Sequence, residues 1–301
     1  MWDSMGICKY CSSNNVVKNG RQNGVQYYLC RDCGHAFAYN NHFVKMKTES
    51  RVIVHALDLY YEGLSVRKVR RQIDHIFGFK VSQVTIWKWI VKCSKLVSEF
   101  ISTLKPELSG EWHVDETVIK AKGEQKWFWD VIDEGTRYLV ASHLSGERTI
   151  EEVVKLFTEC MKYSKERPKR IVTDGLWAYE KGFNKVFYSR YKEKRVEHIK
   201  NAGIRSRLTN NLVERLHGTI KDRTKPARGL KDTAKTVLDG WVIHYNFVRP
   251  HEYLKGRTPA EASGIEIKGW HELIQQATVH KVREERARPQ EPIPIEVRVM
   301  R

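Results

Sequence analysis

The sequence predicts a multi-domain α/β protein on three observations. Two C-x-x-C pairs open the chain, three helical patterns with basic outer faces follow, and beyond Gly110 β-prone runs give way to alternating helix and strand. A length of 301 residues accommodates either one large core or a catalytic domain with smaller appendages, and does not choose between them. No apolar run approaches the roughly 20 residues a bilayer crossing needs, so no membrane partner is expected. Met1 to Ile7 lacks the basic and apolar segments of a secretory signal, which places the six cysteines in a reducing compartment and disfavours disulfides. Lys and Arg total 53 against 36 Asp and Glu, a formal charge of +17. A single-sign excess of that size points to a polyanionic partner, nucleic acid first.

The first module, residues 1–40, reads as a zinc ribbon. Cys8 and Cys11, then Cys30 and Cys33, form two pairs separated by eighteen residues, and each pair can sit on a tight turn that aims two thiolates at one point. The polar stretch from Ser12 to Tyr28 can fold as a hairpin that brings the pairs together around one structural Zn²⁺, with Gly34 supporting the second turn. Cys93 and Cys160 fall in helical patterns and read as buried apolar thiols.

Residues 48–105 read as a helix-turn-helix unit. After a polar linker around Asn40 to Thr48, Val52, Ile53, Ala56, Leu57 and Tyr60 mark a first helix. Ser65 caps a second, with Val66, Val69, Ile73 and Ile76 inward and Arg67, Lys68, Arg70 and Arg71 outward, ended by Gly78. Ser82 caps a third, in which Ile86, Trp89, Ile90 and Cys93 face inward while Gln83, Lys88 and Lys92 look out. A last helix with a polar face suits the DNA major groove; the competing reading is a three-helix spacer.

Residues 110–265 read as the catalytic domain, followed by a C-terminal helix and basic tail over 266–301. Trp112 to Ile119, Lys126 to Ile132 and Arg137 to Ser142 predict a three-strand meander; Thr149 to Tyr163 predicts a helix, and Arg170 to Thr173 a strand running into Asp174. Strands first, then helix and strand in alternation, predict a mixed sheet flanked by helices. On a ribonuclease-H-like sheet the first strand is central and neighbours the fourth, so Asp115 and Asp174 converge, and a helix introduced by Asn210 and Asn211 can bring Glu214 over them. Three carboxylates so placed suit two Mg²⁺ ions about 3.5 to 4 Å apart, the clamp that phosphoryl transfer needs. Glu116 is expected on the opposite strand face, and Asp133 in a hairpin turn. Trp127, Trp129, Trp177 and Trp241 read as core residues rather than base-stacking platforms, and the tail from Val279 as a mobile appendage.

His113-Val-Asp-Glu-Thr117, Thr173-Asp-Gly175 and Asn210-Asn-Leu-Val-Glu-Arg-Leu-His217 resemble the acidic blocks of DDE transposases from prokaryotic insertion sequences. Tyr245-Asn-Phe-Val-Arg-Pro-His251, Leu254 and Thr258-Pro-Ala-Glu261 are similar to the segment that follows the catalytic glutamate there and in integrase cores. Insertion-sequence family six and its relatives are the nearest group in this pattern, and the resemblance runs from about Glu111 to Gly264. It departs in the thirty-nine residues between Asp174 and Glu214 and in the ribbon, which only some relatives carry.

The resemblance implies a ribonuclease-H-like core with Asp115, Asp174 and Glu214 as ligands of two Mg²⁺ or Mn²⁺ ions, and Lys221, two helical turns after Glu214, on DNA phosphate. It implies cleavage at the element's terminal inverted repeats, then attack of the freed 3′-hydroxyl on target DNA, by a homodimer or larger synaptic assembly in a prokaryotic cytoplasm, beside the nucleoid. The added basic stretch from Phe187 to Arg207, with Lys200, Arg205 and Arg207, either tracks DNA or is a solvated loop and strand. His217 either touches the scissile region or packs. Two rivals share the domain plan: an inert DNA-binding regulator, and a nuclease that cuts without joining.

Overall fold

A computed structural model of the chain describes residues 6–200, 211–225, 230 and 233–287. Strands β1 (Val16–Gln22), β2 (Val25–Cys30) and β3 (Ala36–Ala38) form an antiparallel sheet in chain order. The β1–β2 hairpin turns at Asn23 and Gly24, both at positive φ, as a tight turn matched to strand twist requires.

Three helices follow, α1 (Ser50–Tyr61), α2 (Val66–Phe77) and α3 (Gln83–Ile101). The second and third start at the serines predicted to cap them and the second stops at Gly78; Ile76, expected on its inner face, is instead exposed in its last turn. The Ser65 hydroxyl accepts from Lys68 N–H and the Ser82 hydroxyl from Thr85 N–H at 3.0 Å, while Gly78 closes α2 in the left-handed region. Helix α3 runs on past its first inward stripe to bury Val97 and Phe100.

A five-stranded sheet follows, built from β4 (Glu111–Ala121), β5 (Glu124–Asp133), β6 (Leu139–Ser145), β7 (Arg170–Thr173) and β8 (Glu197–Lys200), in the order β6-β5-β4-β7-β8. The first three strands are an antiparallel meander, and β7 and β8 add in parallel beyond β4. The helices are α4 (Ile150–Tyr163), α5 (Trp177–Phe187), α6 (Asn211–Thr224), α7 (Ala234–Phe247), the short α8 (Pro259–Ala262) and α9 (Gly269–Ala287). Side chains alternate along β4 and β5, so Trp129 meets Tyr179 of α5 on one face while Phe128 meets Trp241 of α7 on the other.

One buried apolar cluster runs from Phe43 to Ala277, and α3 packs on α7 and α9. The three-helix unit and the sheet therefore share a core. Gly240 on α7 lies where a Cβ would collide with Tyr61 and Ser94, so only glycine permits this approach. The tail expectation needs correction: α9 continues to Ala287, and Val279 and Val282 are buried, because Val282 packs into the apolar cluster around the four N-terminal cysteines. Only residues 288–301 of that tail lie outside the described residues.

Candidate active site and metal centres

Strand β7 stops one residue short of Asp174, and its last partner on β4 is Val114 opposite Thr173. Asp115 and Glu116 thus lie just beyond the end of the parallel pair, where the sheet opens. Ligand atoms of Asp115, Glu116 and Asp174 all lie within 4.8 Å of one another. The two aspartates meet as the strand order predicts. Glu116 lies on the opposite face from Asp115, as strand alternation predicts, and its carboxylate still comes within reach of the group at the strand end. It is held there by the Tyr179 hydroxyl, which donates to Oε2, and by the Arg148 guanidinium. Arg148 also stands 3.7 Å from Asp174 Oδ2 and over the ring of Trp127, which is half-buried, with 4.9 Å to the centroid.

Asp115 sits opposite Asp130 across the β4–β5 ladder. Asp130 is fully buried, and its Oδ2 is 2.8 Å from His217 Nε2 on α6, whose Nδ1 is 3.9 Å from Asp115 Oδ2. His217 therefore packs against the acids, pinning α6 to the sheet. Burial alone would lower His217, but Asp130 and Asp115 outweigh it and hold the imidazole above its ordinary value. His217→Ala would leave Asp130 buried without its partner, so a loss of about 3 kcal/mol in unfolding free energy is expected by denaturant titration; an unchanged midpoint would contradict the pairing.

Burial pushes Asp115 up to about 7, with His217 opposing and Asp130 adding. A carboxyl that must lose a proton to take a cation competes with that proton. Mn²⁺ affinity is thus expected to climb with pH up to about 7 and to level off above it. Calorimetric titrations at acidic, neutral and basic pH check this, and flat affinity would contradict it. For the cation-free fold the sign is reversed. The raised carboxyl favours the folded state most at low pH, and that contribution is lost as pH rises toward about 7.

Glu214 lies exposed in the first turn of α6, three residues before His217, and is not in the group formed by Asp115, Glu116 and Asp174. Lys221 is exposed two turns further along. Gln83, Lys88 and Lys92 are all exposed on α3, with Lys92 Nζ 3.4 Å from the Lys45 carbonyl. Lys200, also exposed, pairs with Glu180 at 2.8 Å. Arg205 and Arg207 lie outside the described residues. Trp129 and Trp241 are core residues, but Trp177 is 61% exposed at the start of α5, because it precedes the inward stripe of Ala178 and Tyr179.

The N-terminal cysteines form a second centre. Cys8 and Cys33 sulfurs are 3.6 Å apart and those of Cys11 and Cys30 3.7 Å, and all four lie within 4.8 Å. A tetrahedral ion with sulfur at about 2.3 Å sets sulfurs about 3.8 Å apart, so the donor set fits Zn²⁺. Burial raises Cys30, but backbone N–H groups of Cys33 and Asp32 and the neighbouring thiols bring it down to about 7, toward the thiolate that metal binding needs. Arg283 of α9 donates to the Cys11 carbonyl at 3.3 Å.

Residues 109–251 match the model of a family described as "DDE domain". The "Transposase for insertion sequence element IS257 in transposon Tn4003" of Staphylococcus aureus is 25% identical over 207 residues, covering 66% of this chain and 85% of the relative. The "Transposase for insertion sequence-like element IS431mec" of Staphylococcus aureus (strain Mu50 / ATCC 700699) matches with the same identity and coverage, 25%, 66% and 85%. Among solved structures, the HTLV-2 integrase catalytic core domain in complex with magnesium (dimeric form) is similar at 18% identity and a TM-score of 0.40, covering 53% of this chain and 98% of that one. The simian T-cell lymphotropic virus intasome in complex with PP2A regulatory subunit B56 gamma is similar at 16% identity and a TM-score of 0.38, covering 64% and 59%.

Proposed function

We propose that this chain, which is a DDE transposase of an insertion sequence, holds two Mg²⁺ or Mn²⁺ ions on Asp115, Asp174 and Glu214 and one structural Zn²⁺ on Cys8, Cys11, Cys30 and Cys33. The observation that carries the reading is the meeting of Asp115 and Asp174 at the open end of the β4–β7 pair. Carboxylate oxygens suit hard divalent cations, whereas four thiolates suit zinc.

Support for Glu214 as the third ligand comes from α6. Glu214 precedes His217 by three residues, on one helical face, and the His217 ring reaches Asp115. Ions held by these acids would supply an activated water for cutting and stabilise the leaving oxygen of an in-line displacement, freeing a 3′-hydroxyl that then attacks target DNA. Asp130 and His217 keep the glutamate's helix seated on the sheet. Lys221 contacts phosphate beside the site, and Gln83, Lys88 and Lys92 face the terminal inverted repeats with the basic side of α2. Lys200, Arg205 and Arg207 track the flanking strand. Two DNA ends are held by a homodimer or larger assembly, in the cytoplasm of a prokaryote.

The experiment is strand transfer with labelled duplexes taken from the DNA flanking the chain's own gene, with Mg²⁺ or Mn²⁺. Joined products are expected. Cut but unjoined ends would make the protein a nuclease, and metal-independent binding without cutting would make it an inert regulator.

A further inference from the structure

The far end of α6 is anchored in the three-helix unit through Arg223. Its side chain is buried, 2% exposed, and Nη1 donates to the Tyr60 carbonyl at 2.8 Å and the Leu64 carbonyl at 3.1 Å. The guanidinium carbon lies over the Tyr60 ring, 3.9 Å from its centroid. Among the described residues no carboxylate forms an ion pair with it; its charge faces the carbonyl end of α1, where a helix dipole favours a cation. Leu64 directly precedes Ser65, the cap of α2, so Arg223 grips the joint between α1 and α2. Gly63 in that joint stands so close that an added Cβ would be 3.3 Å from the Asp222 carbonyl oxygen.

We infer that Arg223 is a positioning residue that couples DNA engagement by the three-helix unit to the placement of Glu214. The inference rests on the proposed roles of Glu214 and of α2 and α3. Helix α6 has two buried polar anchors, His217 on Asp130 and Arg223 on the α1–α2 joint. At 1.5 Å per residue, Arg223 is about 9 Å beyond His217 and Glu214 about 4.5 Å before it. A helix held at His217 turns a displacement of about 1 Å at the joint into roughly half that at Glu214, in the opposite sense. Misplacement of about 1 Å at a reacting centre costs up to about 100-fold in rate, so a shift of this size reaches the chemistry. Arg67, Lys68, Arg70 and Arg71 are exposed on α2, which begins directly after the same joint, where DNA would load it.

The test compares full-length wild type, Arg223→Gln and Arg223→Lys on a duplex from the DNA flanking the gene. In wild type, duplex binding changes amide hydrogen exchange over Asn211–Thr224. In Arg223→Gln the duplex binds within about twofold of wild type, kcat for end cleavage falls about tenfold or more with KM unchanged, and the exchange response of α6 disappears. Arg223→Lys, which keeps the charge and the donors, restores part of both. Wild-type kcat and exchange response in Arg223→Gln would overturn the coupling. So would an exchange response retained in an Arg223→Gln protein whose only defect is a lowered melting temperature. Glu214→Ala is run beside them: full activity there sinks the metal-ligand reading itself, whereas an inactive Glu214→Ala with a fully active Arg223→Gln sinks only the coupling.

Discussion

Asp115→Asn is expected to abolish cleavage and joining, by about 10³-fold or more, while the protein becomes more stable. The two effects share one cause. Asp115 is mostly buried beside Asp130, and its carboxyl is pushed up to about 7, so at basic pH the ionised group is held against its preference unless a cation compensates. Asparagine keeps an oxygen that can accept from the Glu116 N–H, as Asp115 Oδ1 does at 2.9 Å, but brings no charge. The cation-free variant is therefore expected to gain on the order of 2 kcal/mol at basic pH. Loss of a charged ligand costs the reaction about 4 kcal/mol of transition-state stabilisation or more. Gel-based strand transfer and thermal melts read the two quantities. Retained activity, or loss of activity by unfolding, would contradict the assignment.

Cys30→Ser is expected to abolish zinc binding at the proposed four-cysteine site and to unfold that module. The module's apolar cluster is small: Cys8, Cys11, Cys30 and Phe37 are buried with Val282 from α9, and Tyr10, Val16, Tyr28, Cys33 and Tyr39 pack on them partly exposed. Structural zinc contributes an apparent 10 to 16 kcal/mol, roughly, in modules of this kind, more than so few side chains can replace. Bound zinc should fall from one ion per chain to near none, and amides of β1, β2 and β3 should lose exchange protection while those of β4 and β5 keep theirs. Full protection without metal would show that packing against α9 suffices.

Local chemistry was legible residue by residue. Ser65, Gly78 and Ser82 mark helix ends through their own backbone and side-chain preferences, and they do so in the structure. The meeting of Asp115 and Asp174 followed from strand order, because a central first strand beside the fourth leaves few places for the ends to go. What escaped depends on pairings distant in sequence. Asp130 and His217 are 87 residues apart, and only the β4–β5 register together with the seat of α6 makes them partners. The one available signal was an aspartate among the inward residues of β5, since a buried acid demands a partner. Arg148 and Tyr179 hold Glu116 on the face that strand alternation gives it, but both lie far from it in sequence. The docking of Val282 against the cysteines was hidden because the end of α9 is as charged as a solvated tail.

Glu116 and Glu214 offer two ways to complete a site that begins with Asp115 and Asp174, and metal-bound coordinates separate them most directly. Anomalous diffraction from crystals of the full chain with Mn²⁺ and an uncleavable end duplex should place manganese on Asp115, Asp174 and Glu214, with Glu116 still bound to Tyr179 and Arg148. Manganese held by Asp115, Glu116 and Asp174, with Glu214 turned away, would contradict the account.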